Sequence, residues 1–288
     1  MFDLPSERFF GTVRRPKNEN ETEAFMRDVA YWRKTFLDEI EGKTVALGVR
    51  LWARGGPSLI YRTSQTMIWI DPYFYGTPDD AVPEAYRTVS IPINPDEVRA
   101  ADLLISTHDH LDHCHGGTLV PITNNTQAMC MGPQSSAKKM REFGIADDRI
   151  REVKAGEVIQ FRDVEISIYP GYDPNELHAV TYVLSSGGTK LFVSGDTGDG
   201  PALDEIAATH DLDYALLAFG RTWYMSEEQM MAVARKLHPK TLLPFHWEFW
   251  RNHTGDITKV FEVYYRDRPG FAVKVLLIGD SIHFGDEG

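Results

Sequence analysis

The amino-acid sequence predicts a mixed α/β domain in which helices cover β-sheets in layers, and three observations support this fold class. The chain has 288 residues, of which 42% are hydrophobic, so it can bury a large core. Short β-rich segments come early in the chain, whereas apolar strands alternate with helix candidates from residue 103 onward. The sequence shows no internal repeat and no low-complexity linker, which favours a single domain.

The first predicted element is an amphipathic helix over residues 21–41. Its apolar residues recur at helical spacing and are Phe25, Val29, Trp32, Phe36 and Ile40. Gly42 can end this helix, which we expect to lie on the core as a cover. We interpret residues 1–20 as an N-terminal extension and residues 21–288 as the folded domain.

Strands are predicted in two parts of the chain. Three early segments separated by turn residues predict an antiparallel sheet over residues 44–52, 58–62 and 66–71. The later strands are predicted over residues 102–106, 127–131, 164–169, 190–194, 214–219 and 241–245. Helices are predicted between them over residues 133–143 and 226–237, and the second begins with the capping-box pair Ser226 and Gln229.

The charge and composition of the chain argue against several kinds of partner and compartment. The formal net charge of −12 argues against a nucleic acid or an anionic membrane, because binding to either needs clustered Lys and Arg. The sequence has no apolar segment as long as a signal peptide or a membrane span, so we predict a cytoplasmic protein. The two cysteines, Cys114 and Cys130, are too few for a disulfide framework and are expected to be reduced.

His and Asp residues follow three of the predicted strands at their carboxyl ends. The strand over residues 102–106 leads into the sequence HDHLDH, which spans His108–His113. Asp196 follows a second such strand, and His246 follows a third. Because ligands bind beyond the carboxyl ends of strands in layered α/β domains, these side chains predict one shared site.

The residue types predict a site for two adjacent metal ions. His108 and His110 lie two residues apart in extended backbone and therefore point to the same side. Asp112 and His113 add a carboxylate and a third imidazole, and Asp196 can bridge the ions. Imidazole and carboxylate groups accept Zn, Mn and Fe alike, so we expect one or two divalent ions of these metals. Water held by such ions has a pKa lowered towards neutrality, which favours hydrolysis.

Single residues of this set allow other interpretations. Asp196 lies in the sequence SGDTGDG, which a simple turn also explains, whereas the Lys and helix of a phosphate loop are not evident. His246 stands between Phe245 and Trp247, so taken alone it fits a histidine packed in an aromatic core equally well. His178 begins the segment HAVTYVL, and spacing alone does not decide its role.

The segment THDHLDH resembles the HxHxDH signature of the metallo-β-lactamase superfamily. The segments HAVTYVL, SGDT and LLPFHW are similar to later metal-ligand motifs of that superfamily and occur in the same order. Within the superfamily, the chain resembles the L-ascorbate-6-phosphate lactonase family over nearly its whole length, for example in MGPQSSAKKMREFGI, VKAGEVIQFRDVEI and MSEEQMMAVARKL. The resemblance implies a single-domain αββα sandwich and assembly into a homo-oligomer.

The resemblance also implies a ligand set, in which two groups of three residues share Asp196 as a bridge. The groups are His108, His110 and His178 for one metal, and Asp112, His113 and His246 for the other. We expect Asp112 to act in catalysis as well, by orienting a hydroxide or by passing a proton to the leaving group.

The activity that these residues and the resemblance predict is hydrolysis of a lactone or related carboxylic ester through a metal-bound hydroxide. The expected substrate is a small, polar, sugar-acid-like molecule. Two alternatives stay open, a small-molecule phosphodiesterase and a non-hydrolytic metal-binding member of the fold. Arg221 could pair with an anionic substrate group, Trp223 could form a pocket wall, and His253 could contact the substrate, although simple surface positions also explain all three.

Overall fold

The computed structural model describes residues 36–74, 93–172, 178–220, 224–250 and 253–285. Within these residues the chain forms two seven-stranded sheets that pack face to face, with helices on their outer faces. The mixed α/β layers predicted from the sequence, and the αββα sandwich implied by the resemblance, are therefore confirmed. The domain bounds stay a prediction, since residues 1–20 lie outside the described part of the chain.

The first sheet has the strand order β14-β1-β2-β3-β4-β5-β6. Its strands are β1 (Val49–Ala53), β2 (Leu59–Arg62), β3 (Met67–Ile70), β4 (Leu103–Ile105), β5 (Met129–Gly132), β6 (Ile150–Glu152) and β14 (Ser281–Phe284). Neighbours from β14 to β3 are antiparallel, as the early segments predicted. Those from β3 to β6 are parallel, so the carboxyl ends of β3, β4 and β5 lie at one edge.

The second sheet has the strand order β13-β12-β11-β10-β9-β8-β7. Its strands are β7 (Val158–Phe161), β8 (Val164–Pro170), β9 (Val180–Ser186), β10 (Thr189–Val193), β11 (Tyr214–Ala218), β12 (Thr241–Phe245) and β13 (Ala272–Val273). Neighbours from β7 to β10 are antiparallel, whereas β10 to β13 are parallel. The parallel part again places several strand ends together.

Six α-helices complete the layers in the described part of the chain, and the sequence predicted three of them. They are α1 (residues 36–42), α2 (Gly116–Asn125), α3 (Gln134–Glu142), α4 (Ala202–Thr209), α5 (Glu227–Leu237) and α6 (Ile257–Asp267). The predicted first helix is seen only from residue 36 onward, because its earlier part lies outside the described residues. Ser226 and Gln229 cap α5 reciprocally, as their spacing predicted. In the part of the chain that is described, no helix is both long and apolar enough to cross a bilayer.

Strand β3 shows why the sandwich forms. Ile68 and Ile70 face the other sheet, whereas Met67 and Trp69 pack beneath the helices on the outer face. The strand is buried on both sides, so its sequence is continuously apolar rather than alternating. A strand of this kind is stable only inside a layered domain.

The sequence did not predict α2, α4 and α6. Helix α2 contains Pro121, a residue that removes a helical hydrogen bond and normally argues against a helix interior. Helix α4 has eight residues, which is too short for a clear hydrophobic period. Helix α6 does carry a start signal, because the Asp256 side chain accepts a hydrogen bond from the Thr258 amide.

Candidate metal centre

The carboxyl ends of strands from both sheets converge on one site. The loop after β4 holds His108, His110, Asp112 and His113, while Asp196 follows β10 and His246 follows β12. The β4 loop turns tightly, because the carbonyl of His110 accepts hydrogen bonds from the amides of His113 and Cys114 at 3.0 and 2.9 Å. This turn brings the His113 ring to 3.9 Å from the ring of His108, measured between centroids.

The structure brings six of the predicted ligands together in two groups of three, in which all ligand atoms lie within 4.8 Å of one another. The first group is His108, His110 and Asp196, and the second group is Asp112, His113 and His246. Each group could hold one metal ion. The resemblance implied His178 in the first group and Asp196 as a bridge, whereas the structure completes the first group with Asp196 itself.

Asp196 lies between the two groups and contacts both. Its Oδ2 is 3.8 Å from His108 Nε2 in the first group. Its Oδ1 is 3.2 Å from His113 Nε2 and 3.5 Å from His246 Nε2 in the second. One carboxylate therefore offers a different oxygen to each group, which is the geometry that a bridging ligand needs.

Charge is concentrated and buried at this site. Burial alone would lower the pKa of His113, but the carboxylates of Asp196, Asp112 and Asp71 raise it well above its usual value. Burial likewise works against ionisation of Asp196, yet the imidazoles of His113 and His246 lower its pKa to about 2. The pKa of Asp112 is also lowered, because the same imidazoles outweigh its burial. Three carboxylates, of which Asp71 and Asp112 are buried, thus favour a proton on the ring between them.

Two orphaned atoms indicate that a cation fits here. His113 Nε2 and Asp196 Oδ1 are buried and have no hydrogen-bond partner, although buried polar atoms are normally bonded. Three imidazole and carboxylate ligands per group match the donor preferences of Zn, Mn and Fe. A divalent ion would replace the proton on His113 and satisfy both orphaned atoms.

The family of the chain follows from a comparison of sequences. A family model for a beta-lactamase superfamily domain matches residues 66–247, which include all six grouped ligands. The chain belongs to the β-lactamase superfamily. The resemblance to metallo-β-lactamases predicted from the HxHxDH segment is thus confirmed.

One curated relative is a probable L-ascorbate-6-phosphate lactonase from Salmonella paratyphi B, which is 26% identical to this superfamily member over 196 residues. The matched region covers 59% of this chain and 55% of the relative. The chain therefore spans about half the length of the curated relatives that it matches.

Two solved structures show the same fold. A metallo hydrolase from Ignicoccus hospitalis superposes with a TM-score of 0.66 at 18% identity, covering 83% of this chain and 99% of the other. A diiron β-hydroxylase from Streptomyces venezuelae gives a TM-score of 0.64 at 15% identity, covering 84% and 55%. At these identities the superpositions establish the superfamily fold and leave the chemistry to the site itself.

Asp71 contacts the candidate site and was not predicted from the sequence. It follows β3 and is fully buried, and its Oδ2 accepts a hydrogen bond of 2.8 Å from His113 Nδ1. Its Oδ1 accepts a bond of 2.7 Å from the Thr107 amide, and the Thr107 hydroxyl donates to Oδ2 at 2.8 Å. With its proton on Nδ1, His113 turns the lone pair of Nε2 towards the second group. The signal in the sequence was a carboxylate at the end of another strand of the same sheet.

Backbone strain accompanies this arrangement. Asp71 and His246 have positive φ angles of 44° and 63°, in the left-handed region that non-glycine residues rarely adopt. Both residues end a strand at the site, and the turn lets each side chain point into it. Strain of this kind persists at functional sites where the surrounding fold enforces it.

Two aromatic side chains also reach the second group. The hydroxyl of Tyr224 lies 3.3 Å from His246 Nε2, and the Nε1 of Trp250 donates a 3.1 Å hydrogen bond to Asp112 Oδ2. Tyr224 comes from the turn between β11 and α5, where the Gly220 amide donates to the carbonyl of Met225. Contacts between residues so far apart in the chain leave no pattern in a single sequence.

The other site residues predicted from the sequence have different outcomes. His178 is exposed and belongs to neither group, so its role as a ligand stays a prediction. Arg221 and Trp223 lie outside the described residues. His253 is buried, with its amide bonded to the carbonyl of Trp250, so it is not a solvated loop residue. Asp109, which lies between two residues of the first group, pairs with Lys139, whose Nζ lies 3.2 Å from its carboxylate.

Proposed function

We propose that this protein is a metal-dependent hydrolase that opens a lactone or cleaves a related carboxylic ester in a small polar molecule. The observation that carries the proposal is the pair of adjacent ligand groups joined by Asp196, in a chain of the β-lactamase superfamily. The lactone as substrate is supported by the likeness to a probable L-ascorbate-6-phosphate lactonase. Zn, Mn and Fe all suit the ligands, and we propose a homo-oligomer as the active assembly.

Divalent ions bound in these groups would supply Lewis acidity towards a carbonyl oxygen and lower the pKa of a coordinated water. The protein's own residues prepare the site for this chemistry. Thr107 Oγ1 lies 3.0 Å from His108 Nδ1 while its proton is donated to Asp71, so the ring proton of His108 occupies Nδ1. The Nε2 lone pair of His108 then faces the first group.

Asp112 transfers the proton of the attacking water in the proposed reaction. The neighbouring imidazoles lower its pKa, so it is ionised, orients a water molecule by accepting a hydrogen bond from it, and holds the proton of that water only in passing. Its carboxylate stands 3.1 Å from His246 Nε2 and faces the centre of the second group. From there it can pass the proton to the alkoxide that leaves the opened ester.

Tyr224 brings a hydroxyl group beside the same group of ligands. Its ring lies 4.8 Å from the ring of His246, and its hydroxyl lies 3.3 Å from His246 Nε2. We propose that this hydroxyl donates to the substrate oxygen on which negative charge develops. A donor placed in advance at that oxygen stabilises the transition state more than the ground state.

The experiment that tests the proposed function combines metal analysis with a substrate screen. The content of Zn, Mn and Fe is first measured in the purified protein. Hydrolysis of lactones, phosphodiesters and β-lactams is then measured after each metal is restored. About two equivalents of metal with turnover of lactones is the expected result. Turnover confined to phosphodiesters, or metal binding without any hydrolysis, would replace the proposal by one of the two alternatives.

A further inference from the structure

The indole of Trp250 contacts Asp112 from the loop after β12. Its Nε1 donates a hydrogen bond of 3.1 Å to Asp112 Oδ2, between two buried side chains that are 138 positions apart in the chain. Strand β12 belongs to the second sheet, whereas the loop that carries Asp112 follows β4 of the first. The bond therefore joins the two sheets across the site.

The hydrogen bond selects one oxygen of Asp112. The oxygen that accepts from Trp250 is Oδ2, which also lies 3.1 Å from His246 Nε2 and 3.7 Å from His113 Nε2. A carboxylate can rotate about its Cβ–Cγ bond and exchange its two oxygens. The indole N–H opposes this rotation and keeps Oδ2 turned towards the two imidazoles.

Aromatic packing holds the indole itself in place. The ring of Phe249 stands edge-on to Trp250 at 4.8 Å between centroids, and the ring of Tyr73 lies at 6.1 Å. Tyr73 follows Asp71 by two residues, so the same packing reaches the loop whose carboxylate orients His113. A donor anchored in this way dictates the position of its acceptor.

We propose that Trp250 is a positioning residue of the metal centre, whose indole N–H orients Asp112 as a ligand of the second group. The inference rests on the proposed metal-dependent function but concerns metal binding rather than turnover. Hydrogen-bonding partners that orient metal ligands typically change metal affinity by about ten- to a hundredfold. We expect a loss of about that size when the N–H is removed.

The first test is Trp250→Phe, which keeps an aromatic ring and removes the donor. Trp52→Phe is the matched control, because Trp52 is also buried and donates to a carboxylate, that of Glu39 at 3.3 Å, in the cover of the first sheet. Titration with Co²⁺ measures the affinity and the visible absorption of each bound equivalent. We expect Trp250→Phe to weaken one equivalent by about ten- to a hundredfold and alter its absorption, and Trp52→Phe to change neither.

A second measurement does not depend on the folding of that variant. The six tryptophans each give an indole N–H signal in a ¹H–¹⁵N spectrum of the metal-free protein. Asp112→Asn is expected to move one of these signals strongly, and Zn²⁺ added to the wild type should move the same one. Six unmoved signals in Asp112→Asn, or wild-type Co²⁺ affinity and absorption in Trp250→Phe, would overturn the inference. A wild-type protein that binds no metal would instead overturn the proposed function.

Discussion

The two ligand groups differ in how firmly the fold holds them. The second group, Asp112, His113 and His246, is buried throughout, whereas His110 and Asp196 of the first group are partly exposed. Each ligand of the second group also has a further partner, and these partners are Trp250, Asp71 and Tyr224. Burial and hydrogen bonds from neighbouring side chains hold metal ligands in fixed positions, whereas exposure lets a substrate reach the metal. We therefore expect the second group to retain its metal and the first group to admit substrate.

The largest predicted effect comes from Asp196→Asn, because this residue serves both groups. Loss of the shared charge should lower kcat/KM by about a thousandfold or more, since a metal ion contributes several kcal/mol to such a transition state. Asp204→Asn, at an exposed position in α4, is the matched control and should keep full activity. Wild-type activity in Asp196→Asn would remove the metal mechanism altogether.

Chelation tests whether the second group retains its metal longer than the first group does. EDTA should strip the metal of the first group before that of the second, so that activity is lost in step with the first equivalent released. Metal content measured against time, with activity in parallel, gives the order. His110→Ala should remove only the early phase of release, and His246→Ala only the late one. The reverse assignment would show that burial does not govern metal retention here.

Tyr224→Phe separates metal binding from the chemical step. The variant loses one donor towards the developing charge, which typically costs about a hundred- to a thousandfold in kcat. Metal content should stay at the wild-type level, because the ring still packs beside His246. The measurement is kcat with metal analysis of the same sample. A fall in metal content in proportion to activity would make Tyr224 a ligand rather than a donor.

Asp71→Asn is expected to have a smaller effect that falls on the second group alone. The amide can still accept from the Thr107 backbone, but it no longer bears the charge that fixes the His113 proton on Nδ1. Affinity for the second metal should fall by about ten- to a hundredfold, with the first metal unaffected. Calorimetric titration of both equivalents measures the difference, and equal losses at the two groups would contradict it.

The sequence made the six candidate metal ligands predictable because each of them lies in the segment that follows an apolar strand. His108 to His113 lie within one loop, and Asp196 and His246 each end a recognisable strand. Asp71 also ends a strand, but a single carboxylate before Pro72 is indistinguishable from a turn residue without knowledge of the sheet order. Trp250 and Tyr224 depend on tertiary packing across the two sheets, which spacing along one chain does not encode.

The two groups also differ in how they bind protons, which predicts a pH dependence in the metal-free protein. Burial and the neighbouring His113 lower the pKa of His108 in the first group well below 6.5, whereas the carboxylates raise that of His113 in the second group well above it. Of these two residues, only His113 therefore binds a proton in the folded protein that it releases in the unfolded chain above pH 6.5.

This extra proton stabilises the fold fully below the unfolded value and is lost as pH rises through the folded pKa of His113. Stability of the metal-free protein should thus decrease between pH 6.5 and 8, by up to about 1.4 kcal/mol per pH unit. Both cysteines titrate above this window, since burial raises the pKa of Cys114 to about 12 and that of Cys130 to about 11. Urea unfolding at several pH values measures the slope. The metal-loaded protein is the control, because a bound cation displaces the proton from His113 and removes this contribution to the pH dependence of stability. Equal slopes of unfolding free energy against pH in the two forms would mean that His113 holds no such proton.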